Sequence, residues 1–397
     1  MARGGPTLPA QVTPDTRPEE LDLNWHECDL PEHLRTKHVH RLHPYLGKFI
    51  PQLVETFLRM YFRPGEAVYD PFVGSGTTLV EANVLGVHSI GCDISAFNCL
   101  LTRAKTARYD VAQVKREVTD ILRRSREATS NGSSQLSLFE PSSEDEAPIP
   151  EASEYLRSWF APQALRELLT YRALIPEYEN RDLLRIILSR SARSARLTTH
   201  FDLDFPKQPT TGPYWCYKHS RMCQPTQEAF KFLRRYSRDT LQRIEEYAAL
   251  RTDAQVNVLH ADARCVRLPM SVDGVITSPP YLGLIDYHEQ HRYAYELLGL
   301  PDQREDEIGA ASNGVSTQAR EAYLTDMIAV FRNTAQQMAP HGRLIVVVAD
   351  RTNLYPAIAQ ACDFETEAIV EREVNRRTGR RSGKFYESIF IWRKRSA

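Results

Sequence analysis

The segment DPFVGSGTT (70–78) has residue types and spacing suited to binding a small polar ligand. Gly74 and Gly76 lack a Cβ, so the backbone can turn sharply and approach a ligand closely. Free N–H groups at the start of the next helix favour an anionic group. A phosphate-binding loop would carry a lysine after the glycines, and none is present. Asp70 would repel a phosphate but suits an ammonium group.

Two further acids follow strands in the same way. Asp93 ends the next predicted strand, where a carboxylate can accept from both hydroxyls of a ribose. Asp262 follows a third strand and could accept from the amino group of an adenine. Three acids at neighbouring strand ends predict a pocket for an adenosine with a zwitterionic tail. The alternative is that GSG is only a tight strand–helix turn, and the complete string with Asp93 in place argues against it.

A second segment, TSPPY (277–281), is suited to holding an amine. Pro279 and Pro280 fix φ and remove two backbone donors, which leaves loop carbonyl groups as acceptors. The exocyclic amine of a base needs acceptors, so we expect Pro279 O and Ser278 Oγ to bind its N–H groups and orient it. Tyr281 offers a flat face to a flipped base, and such stacking contributes about 1–3 kcal/mol. A rigid surface turn is the alternative, and the glycine loop upstream makes it less favoured.

Composition limits the broad class of protein. The 397 residues suffice for one large domain with an inserted part, or for two domains. With 50 basic and 51 acidic side chains, bulk charge does not indicate nucleic acid, so local basic patches would have to bind it. No apolar run long enough to span a membrane and no apolar signal-peptide core is present, and the seven scattered cysteines fit reduced thiols. We expect a cytoplasmic, nucleoid-associated protein of a prokaryote.

The chain divides into four predicted parts. Residues 1–24 are expected to form a flexible arm, and residues 25–110 the cofactor-binding half of an α/β domain. Residues 111–250 form a mostly helical insertion with a disordered linker at 125–153, which is rich in Ser, Glu and Pro. Residues 251–397 return to strand–loop–helix alternation and form the catalytic half.

Short apolar strands alternate with helices, which predicts a mainly parallel sheet covered on both faces. The last two strands flank a glycine-containing loop near 374–385 and are typical of a hairpin. We therefore predict a doubly wound, seven-stranded Rossmann-like sheet with a C-terminal antiparallel hairpin and a mostly helical insertion. The other strands are predicted at Ala67–Tyr69, His88–Cys92, Val256–Leu259, Gly274–Thr277 and Arg343–Val348.

In these two motifs the sequence resembles the N6-adenine/N4-cytosine DNA methyltransferases, whose fold is a variant of this sheet. The resemblance implies S-adenosylmethionine as cofactor and double-stranded DNA as substrate. Members with Ser before Pro-Pro mostly modify cytosine at N4, and members with Asp or Asn there usually modify adenine, so Ser278 favours cytosine. The segment HPYLGKFIP (43–51) is similar to the one that packs over the methionine end of the cofactor in that family. The resemblance covers roughly residues 40–110 and 255–350.

The chemistry and the resemblance together give the predicted site. The predicted catalytic residues are Ser278, Pro279, Pro280 and Tyr281. The predicted cofactor-binding residues are Lys48, Phe49, Pro51, Asp70, Pro71, Phe72, Gly74, Gly76, Thr77, Asp93, Ile94, Asp262 and Ala263. The cofactor half precedes the catalytic half, unlike the permuted members of the family, and the insertion lies before Asp262, unlike the usual unpermuted members.

Two basic regions are candidate DNA contacts, with solvated charged faces as the alternative for both. The hairpin loop would lie on the edge of the sheet that carries Tyr281, and its arginines can bind guanine or phosphate. Its candidate residues are Arg376, Arg377, Arg380, Arg381 and Lys384. The insertion, a candidate target-recognition region, contributes Arg185, Arg190, Arg193 and Arg196, and then Lys231, Arg234, Arg235 and Arg238.

The sequence also allows other interpretations of a candidate metal site and of the activity. Cys216, His219 and Cys223 lack an evident fourth ligand, so a packed loop is favoured over a metal site and no metal is predicted. Besides the N4-cytosine enzyme, the sequence allows an N6-adenine enzyme, an RNA amino-methyltransferase, or a DNA-binding regulator with an inactive fold. A cognate restriction endonuclease is a candidate partner.

Overall fold

A computed structural model of the protein describes residues 5–134, 152–200, 206–375 and 384–395. Its strands are β1 (Ala67–Asp70), β2 (His88–Asp93), β3 (Tyr214–Cys216), β4 (Arg221–Cys223), β5 (Val256–His260), β6 (Val272–Thr277), β7 (Met338–Val348), β8 (Phe364–Asn375) and β9 (Lys384–Lys394). Its helices are α1 (Glu32–Arg35), α2 (Pro51–Tyr61), α3 (Thr77–Val84), α4 (Ala96–Thr106), α5 (Val111–Ser134), α6 (Glu154–Trp159), α7 (Pro162–Leu174), α8 (Arg181–Ala195), α9 (Phe230–Ala248), α10 (Tyr287–Gln290), α11 (Arg292–Leu298), α12 (Thr317–Gln336) and α13 (Tyr355–Ala361).

Seven strands form one sheet in the order β5-β2-β1-β6-β7-β9-β8. The first five in that order are parallel, and β9 runs antiparallel to both β7 and β8. The doubly wound α/β fold with a C-terminal antiparallel hairpin is therefore confirmed. Because β1, β2, β5 and β6 are parallel, the loops after all four lie along one edge of the sheet, where ligands bind in this architecture.

Apolar side chains cover both faces of the sheet. One face packs against α2, with Leu53, Val54 and Phe57 fully buried. The other face packs against α12 and α13, and Trp392 of β9 is buried there beside Phe331. Within the described ranges, no helix is both long and apolar enough to cross a lipid bilayer.

The insertion forms a helical layer, and its core is continuous with buried residues of α4 and α11. The leucines and isoleucines that recur at helical spacing in α7 and α8 are buried together, as the pattern predicts. The first part of the predicted linker is helical instead, because α5 continues through Ser134 and Ser125 is fully buried on it. Residues 135–151 lie outside the described part of the chain.

The N-terminal segment differs from the predicted flexible arm. Val12 and Leu23 are buried in the core beside α2. The indole Nε1 of Trp25 donates to Thr7 O at 3.0 Å, and Glu373 N donates to Asn24 Oδ1 at 2.6 Å. Residues 5–24 are therefore held on the sheet. Their apolar residues are scattered, so the sequence pattern does not reveal that they pack against it.

Two arginines of the insertion that were predicted to contact DNA instead make contacts within the protein. Arg190 pairs with Asp239 at 2.6 Å and stacks over the ring of Tyr236. Arg196 is 4% exposed and lies 4.5 Å over the ring of Tyr293. These guanidinium groups stabilise the helical layer, which corrects the prediction that they form a basic face toward DNA.

Candidate active site

The glycine loop after β1 is shaped by tight contacts at two positions. Gly74 and Gly76 have φ of +48° and +78°, a conformation that L side chains rarely adopt. A Cβ at Gly76 would lie 2.8 Å from Thr102 Oγ1, and one at Gly74 would lie 3.1 Å from the hydroxyl of Tyr45. The loop therefore requires glycine at both positions, and α3 begins directly after it.

Asp93 is fixed at the end of β2 by three donors. Its Oδ2 accepts from Gly74 N at 2.8 Å and Asn98 Nδ2 at 3.1 Å, and its Oδ1 accepts from Ser95 N at 2.8 Å. Burial raises the pKa of Asp93, and these hydrogen bonds oppose that shift. Because a carboxylate offers about four acceptor positions, roughly one remains for a ligand. Asp93 lines a cleft with an empty volume of about 830 Å³, which includes the open solvent at its mouth.

Asp70 occupies a different place from the one predicted. It is 1% exposed and does not line the cleft. Its carboxylate accepts from Thr277 Oγ1 at 2.7 Å, Thr78 Oγ1 at 2.8 Å and Phe72 N at 3.1 Å. Burial raises its pKa to about 6, although these hydrogen bonds favour the charged form. Asp70 thus joins the ends of β1 and β6 beneath the site, and its oxygens are not presented to a ligand.

Asp262 lines the cleft as predicted, but it is also paired. Arg264 Nε lies 2.9 Å from its Oδ2, and Arg264 Nη1 donates to Asp326 at 2.9 Å. Hydrogen bonding to Asp262 is the main cause that raises the pKa of Arg264. The guanidinium group therefore holds the Asp262 carboxylate in one orientation beside Ala263, which also lines the cleft.

The segment before α2 forms a second wall. Lys48 and Phe49 line the cleft, whereas Pro51 is buried at the first turn of α2. Lys48 Nζ donates to His40 O at 3.0 Å, and burial lowers the pKa of Lys48 to about 8. Tyr45, which the sequence reasoning did not select, lies between this wall and Gly74.

The TSPPY loop closes the cleft from β6. Ser278 and Pro280 line it, and Pro279 is buried behind them. The carbonyl of Pro280 accepts from the hydroxyl of Tyr323 at 2.9 Å, which fixes the loop on α12. Tyr281 is not among the lining residues, and its hydroxyl donates to Glu387 Oε1 of β9 at 2.8 Å.

The structure thus brings most of the predicted residues to one cleft. Those that line it are Lys48, Phe49, Pro71, Phe72, Gly74, Thr77, Asp93, Ile94, Asp262, Ala263, Ser278 and Pro280. Pro51, Asp70, Gly76, Pro279 and Tyr281 do not line it and instead support the loops that do. Sequence reasoning missed the wall formed by the start of α10 and the segment before α12, where Tyr287, Glu307 and Ile308 line the cleft. That wall has no recognisable motif. Asn98 also lines the cleft, and the Ser95-x-x-Asn98 start of α4 was an available signal.

The end of the β8–β9 hairpin lies at the same edge of the sheet, at the start of β9. Glu387 is three residues after the start of β9 and contacts Tyr281, so the start of β9 lies on the side of the TSPPY loop. The candidate contacts Arg376, Arg377, Arg380 and Arg381 lie outside the described residues, as does the side chain of Lys384.

Comparison with known proteins decides the family. The model of the N6/N4-type DNA methylases matches residues 14–103. The type II methyltransferase M.MjaII of Methanocaldococcus jannaschii is 36% identical over 91% of this chain and 81% of its own length. The chain belongs to this family of DNA methyltransferases. The type II methyltransferase M.MvaI of Kocuria varians is 24% identical over 69% of this chain and 60% of its own length. Among solved structures, TrmN from Thermus thermophilus covers 88% of this chain and half of its own, with a TM-score of 0.35 and 12% identity.

The cofactor of this DNA methyltransferase is S-adenosylmethionine. The residues of the cleft fit it. Asp93 and Asp262 offer acceptors for polar groups of an adenosine, and the glycine loop lets backbone come close without Cβ atoms. The side chains of Phe49 and Phe72 give the cleft an apolar part.

Proposed function

We propose that this DNA methyltransferase transfers the methyl group to the exocyclic N4 amine of a cytosine flipped out of double-stranded DNA. The observation that supports the base assignment is Ser278, which stands directly before Pro-Pro and lines the same cleft as Asp93. When bound, S-adenosylmethionine supplies an electrophilic methyl group. The chain supplies positioning, which can account for much of a rate enhancement.

Each loop residue has a role in this proposal. Ser278 Oγ and the carbonyl of Pro279 accept from the two N–H groups of the amine, so that its lone pair turns toward the methyl group. The hydroxyl of Tyr323 donates a hydrogen bond to the carbonyl of Pro280, and this bond keeps the TSPPY loop in place beside the cleft. The remaining acceptor position of Asp93 binds a ribose hydroxyl, and the clamped Asp262 binds the adenine amine. Pro279 and Pro280 have no backbone N–H, so neither can donate a hydrogen bond to the lone pair of the amine.

The likeness to enzymes named type II methyltransferases supports a restriction–modification setting, with a cognate endonuclease as partner. We further propose that the insertion and the hairpin loop contact DNA on either side of the cleft. The loop can contribute arginines to phosphates or guanine.

The decisive experiment is to incubate the protein with DNA and methyl-labelled S-adenosylmethionine and to digest the DNA to nucleosides. Label in N4-methylcytosine is expected. Label only in N6-methyladenine would overturn the cytosine assignment and leave the amino-methyltransferase activity intact. Label in tRNA in preference to DNA would overturn the assignment of the substrate. Cofactor binding with no transfer to any DNA would indicate an inactive fold.

A further inference from the structure

Four potential metal ligands meet in the insertion, between α8 and α9. The small hairpin β3–β4 pairs Tyr214 with Cys223 and Cys216 with Arg221, which places both cysteines on one face. His219 lies in the turn, where its N–H donates to Cys216 O at 3.1 Å. His200, sixteen residues before the first cysteine, comes to the same face. Sequence spacing identified Cys216, His219 and Cys223 as candidate ligands but did not identify His200.

The distances between the ligand atoms match a tetrahedral zinc site. His219 Nδ1 lies 3.5 Å from both Cys216 Sγ and Cys223 Sγ, and His200 Nδ1 lies 3.5 Å from Cys216 Sγ. All four ligand atoms lie within 4.8 Å of one another. With Zn–S of about 2.3 Å and Zn–N of about 2.0–2.1 Å, a tetrahedron has N···S edges of about 3.5 Å.

Hydrogen bonding explains this cluster poorly. A thiol is a weak donor, and one imidazole nitrogen cannot satisfy two sulfur atoms at equal distance. Both cysteines are free and buried. The hydroxyl of Tyr214 also lies 2.9 Å from His200 Nδ1, and it accepts from His200 N at 3.1 Å. When the ring nitrogen binds a metal ion, the hydroxyl retains its hydrogen bond with the backbone.

Among the described residues, His38, His40 and Glu81 also form a group of potential ligands. The ammonium group of Lys37 lies 2.7 Å from the Glu81 carboxylate, so the acid already has a cationic partner. A divalent cation there would be repelled by Lys37, and no fourth ligand joins the group within the described part of the chain. The pairing of Glu81 with Lys37 therefore argues against a metal site at this second group.

We propose that His200, Cys216, His219 and Cys223 bind one Zn²⁺ as a structural site. Thiolate and imidazole ligands suit zinc, and four protein ligands leave no open position for a substrate. Two strands of three residues are too short to be stable alone. The outward side of the hairpin is also poorly packed, with Trp215, Tyr217 and Met222 at least half exposed. Metal ligation would hold this segment in the fold.

The test measures the metal content of the full-length protein. The protein is produced in zinc-supplemented medium, treated briefly with a weak chelator, and analysed by mass spectrometry for metals. We expect about one zinc per chain, as for a closed four-ligand site, and loss of most of it in Cys216→Ser and His219→Asn. Cys28→Ser is the matched control, because Cys28 is an exposed cysteine outside the cluster, and it should retain the metal.

Two further measurements keep the outcome independent of folding and of activity. Replacement of zinc by Co²⁺ should give the visible absorption of tetrahedral cobalt with thiolate ligands, and Cys223→Ser should weaken it. Titration of each variant with S-adenosylmethionine reports whether the methyltransferase part is folded. A wild-type zinc content equal to that of Cys216→Ser, or a Cys216–Cys223 disulfide in the non-reduced protein, would overturn the proposal.

Discussion

The hydroxyl of Tyr281 donates to Glu387 Oε1 at 2.8 Å and so links the TSPPY loop to the last strand of the sheet. Glu387 also forms an ion pair with Arg372 on β8, with 3.0 Å between Oε2 and Nε, and both side chains are buried. The loop that closes the cleft is therefore connected to the hairpin that carries the candidate DNA contacts.

Tyr281→Phe should distinguish the effect of the hydroxyl hydrogen bond from the effect of the aromatic ring. The ring is kept, but a hydrogen bond to a charged acceptor is removed, which typically costs about 1.5–3 kcal/mol. We expect a lower free energy of unfolding, a higher KM for DNA and little change in the Kd of S-adenosylmethionine. Urea unfolding, kinetics and calorimetry check these three quantities. Tyr217→Phe, at a tyrosine that is 80% exposed, is the control for the free energy of unfolding. Equal stability of Tyr281→Phe and the wild type would contradict a role for the hydroxyl.

Asp93→Ala should weaken cofactor binding. The variant removes the carboxylate from the cleft and leaves Gly74 N and Ser95 N without their acceptor. Loss of one hydrogen bond to a charged group corresponds to roughly a 10- to 150-fold higher Kd. Calorimetric titration with S-adenosylmethionine measures it. Asp253→Ala, which changes an exposed acid paired with Arg108, should bind like the wild type. An unchanged Kd in Asp93→Ala would remove Asp93 from the site.

The arginines of the hairpin loop should act on DNA rather than on the cofactor. Replacing Arg380 and Arg381 by Ser is expected to weaken DNA binding and to reduce the dependence of log K on log salt by about 0.9 for each phosphate that the variant no longer neutralises. Binding measured by fluorescence anisotropy at several salt concentrations gives this slope. Arg108→Ser, at an exposed arginine outside the insertion that pairs with Asp253, supplies a control for loss of positive charge. If the hairpin variant and the control have the same slope, the loop does not contact phosphates.

The sheet and the cleft were predictable because their signals are local in the sequence. Apolar runs bounded by loops indicate the strands, and the acid that ends β2 follows the glycine loop at the spacing of a nucleotide fold. Asp93 and Ser278 therefore line the cleft, as their motifs predict.

The remaining features depend on partners that are distant in sequence. Asp70 has the type and place of a ligand-binding acid, yet Thr277, 207 residues later, engages its carboxylate. Arg190 and Arg196 have the spacing of a basic face, yet Asp239 and Tyr293 bring them into the fold. Spacing along the chain cannot reveal such interactions, because they form only when separate elements pack together.

Gly76→Ala should disturb both the loop and the cofactor site. A residue with a Cβ at φ of +78° costs about 1–2 kcal/mol, and the overlap with Thr102 at 2.8 Å adds about 1–3 kcal/mol. We expect a lower free energy of unfolding and a higher Kd for S-adenosylmethionine. Gly65→Ala is a matched control, because Gly65 has φ of +93° but no atom of the described residues within 4 Å of an added Cβ.

The contribution of the overlap can be isolated with Thr102→Ala. This change removes Thr102 Oγ1 and Cγ2, the two atoms nearest the new Cβ, and also a hydrogen bond from Oγ1 to Gly74 O at 3.2 Å. In a double-mutant cycle, Thr102→Ala should destabilise Gly76→Ala less than it destabilises the wild type. Simple additivity of the two changes would mean that backbone strain alone is responsible.

Asp70→Asn should change how stability depends on pH. Burial raises the pKa of Asp70 from 3.8 to about 6, so the folded protein holds this proton at pH values where the unfolded chain has released it. The stabilising effect of the proton is complete below about pH 4 and disappears as pH rises through about 6. A shift of this size corresponds to about 3 kcal/mol. Relative to Asp70→Asn, the wild type should therefore become less stable by about this much between about pH 4 and about pH 7.

Urea unfolding of both proteins at about pH 4.5, about pH 5.5 and about pH 7 measures the difference, and other titrating groups cancel in the comparison. Asp15→Asn changes an exposed acid and should follow the wild type at every pH. Parallel curves for the wild type and Asp70→Asn would show that Asp70 stays charged throughout. In that case the hydroxyls of Thr78 and Thr277 stabilise the carboxylate enough to offset its burial.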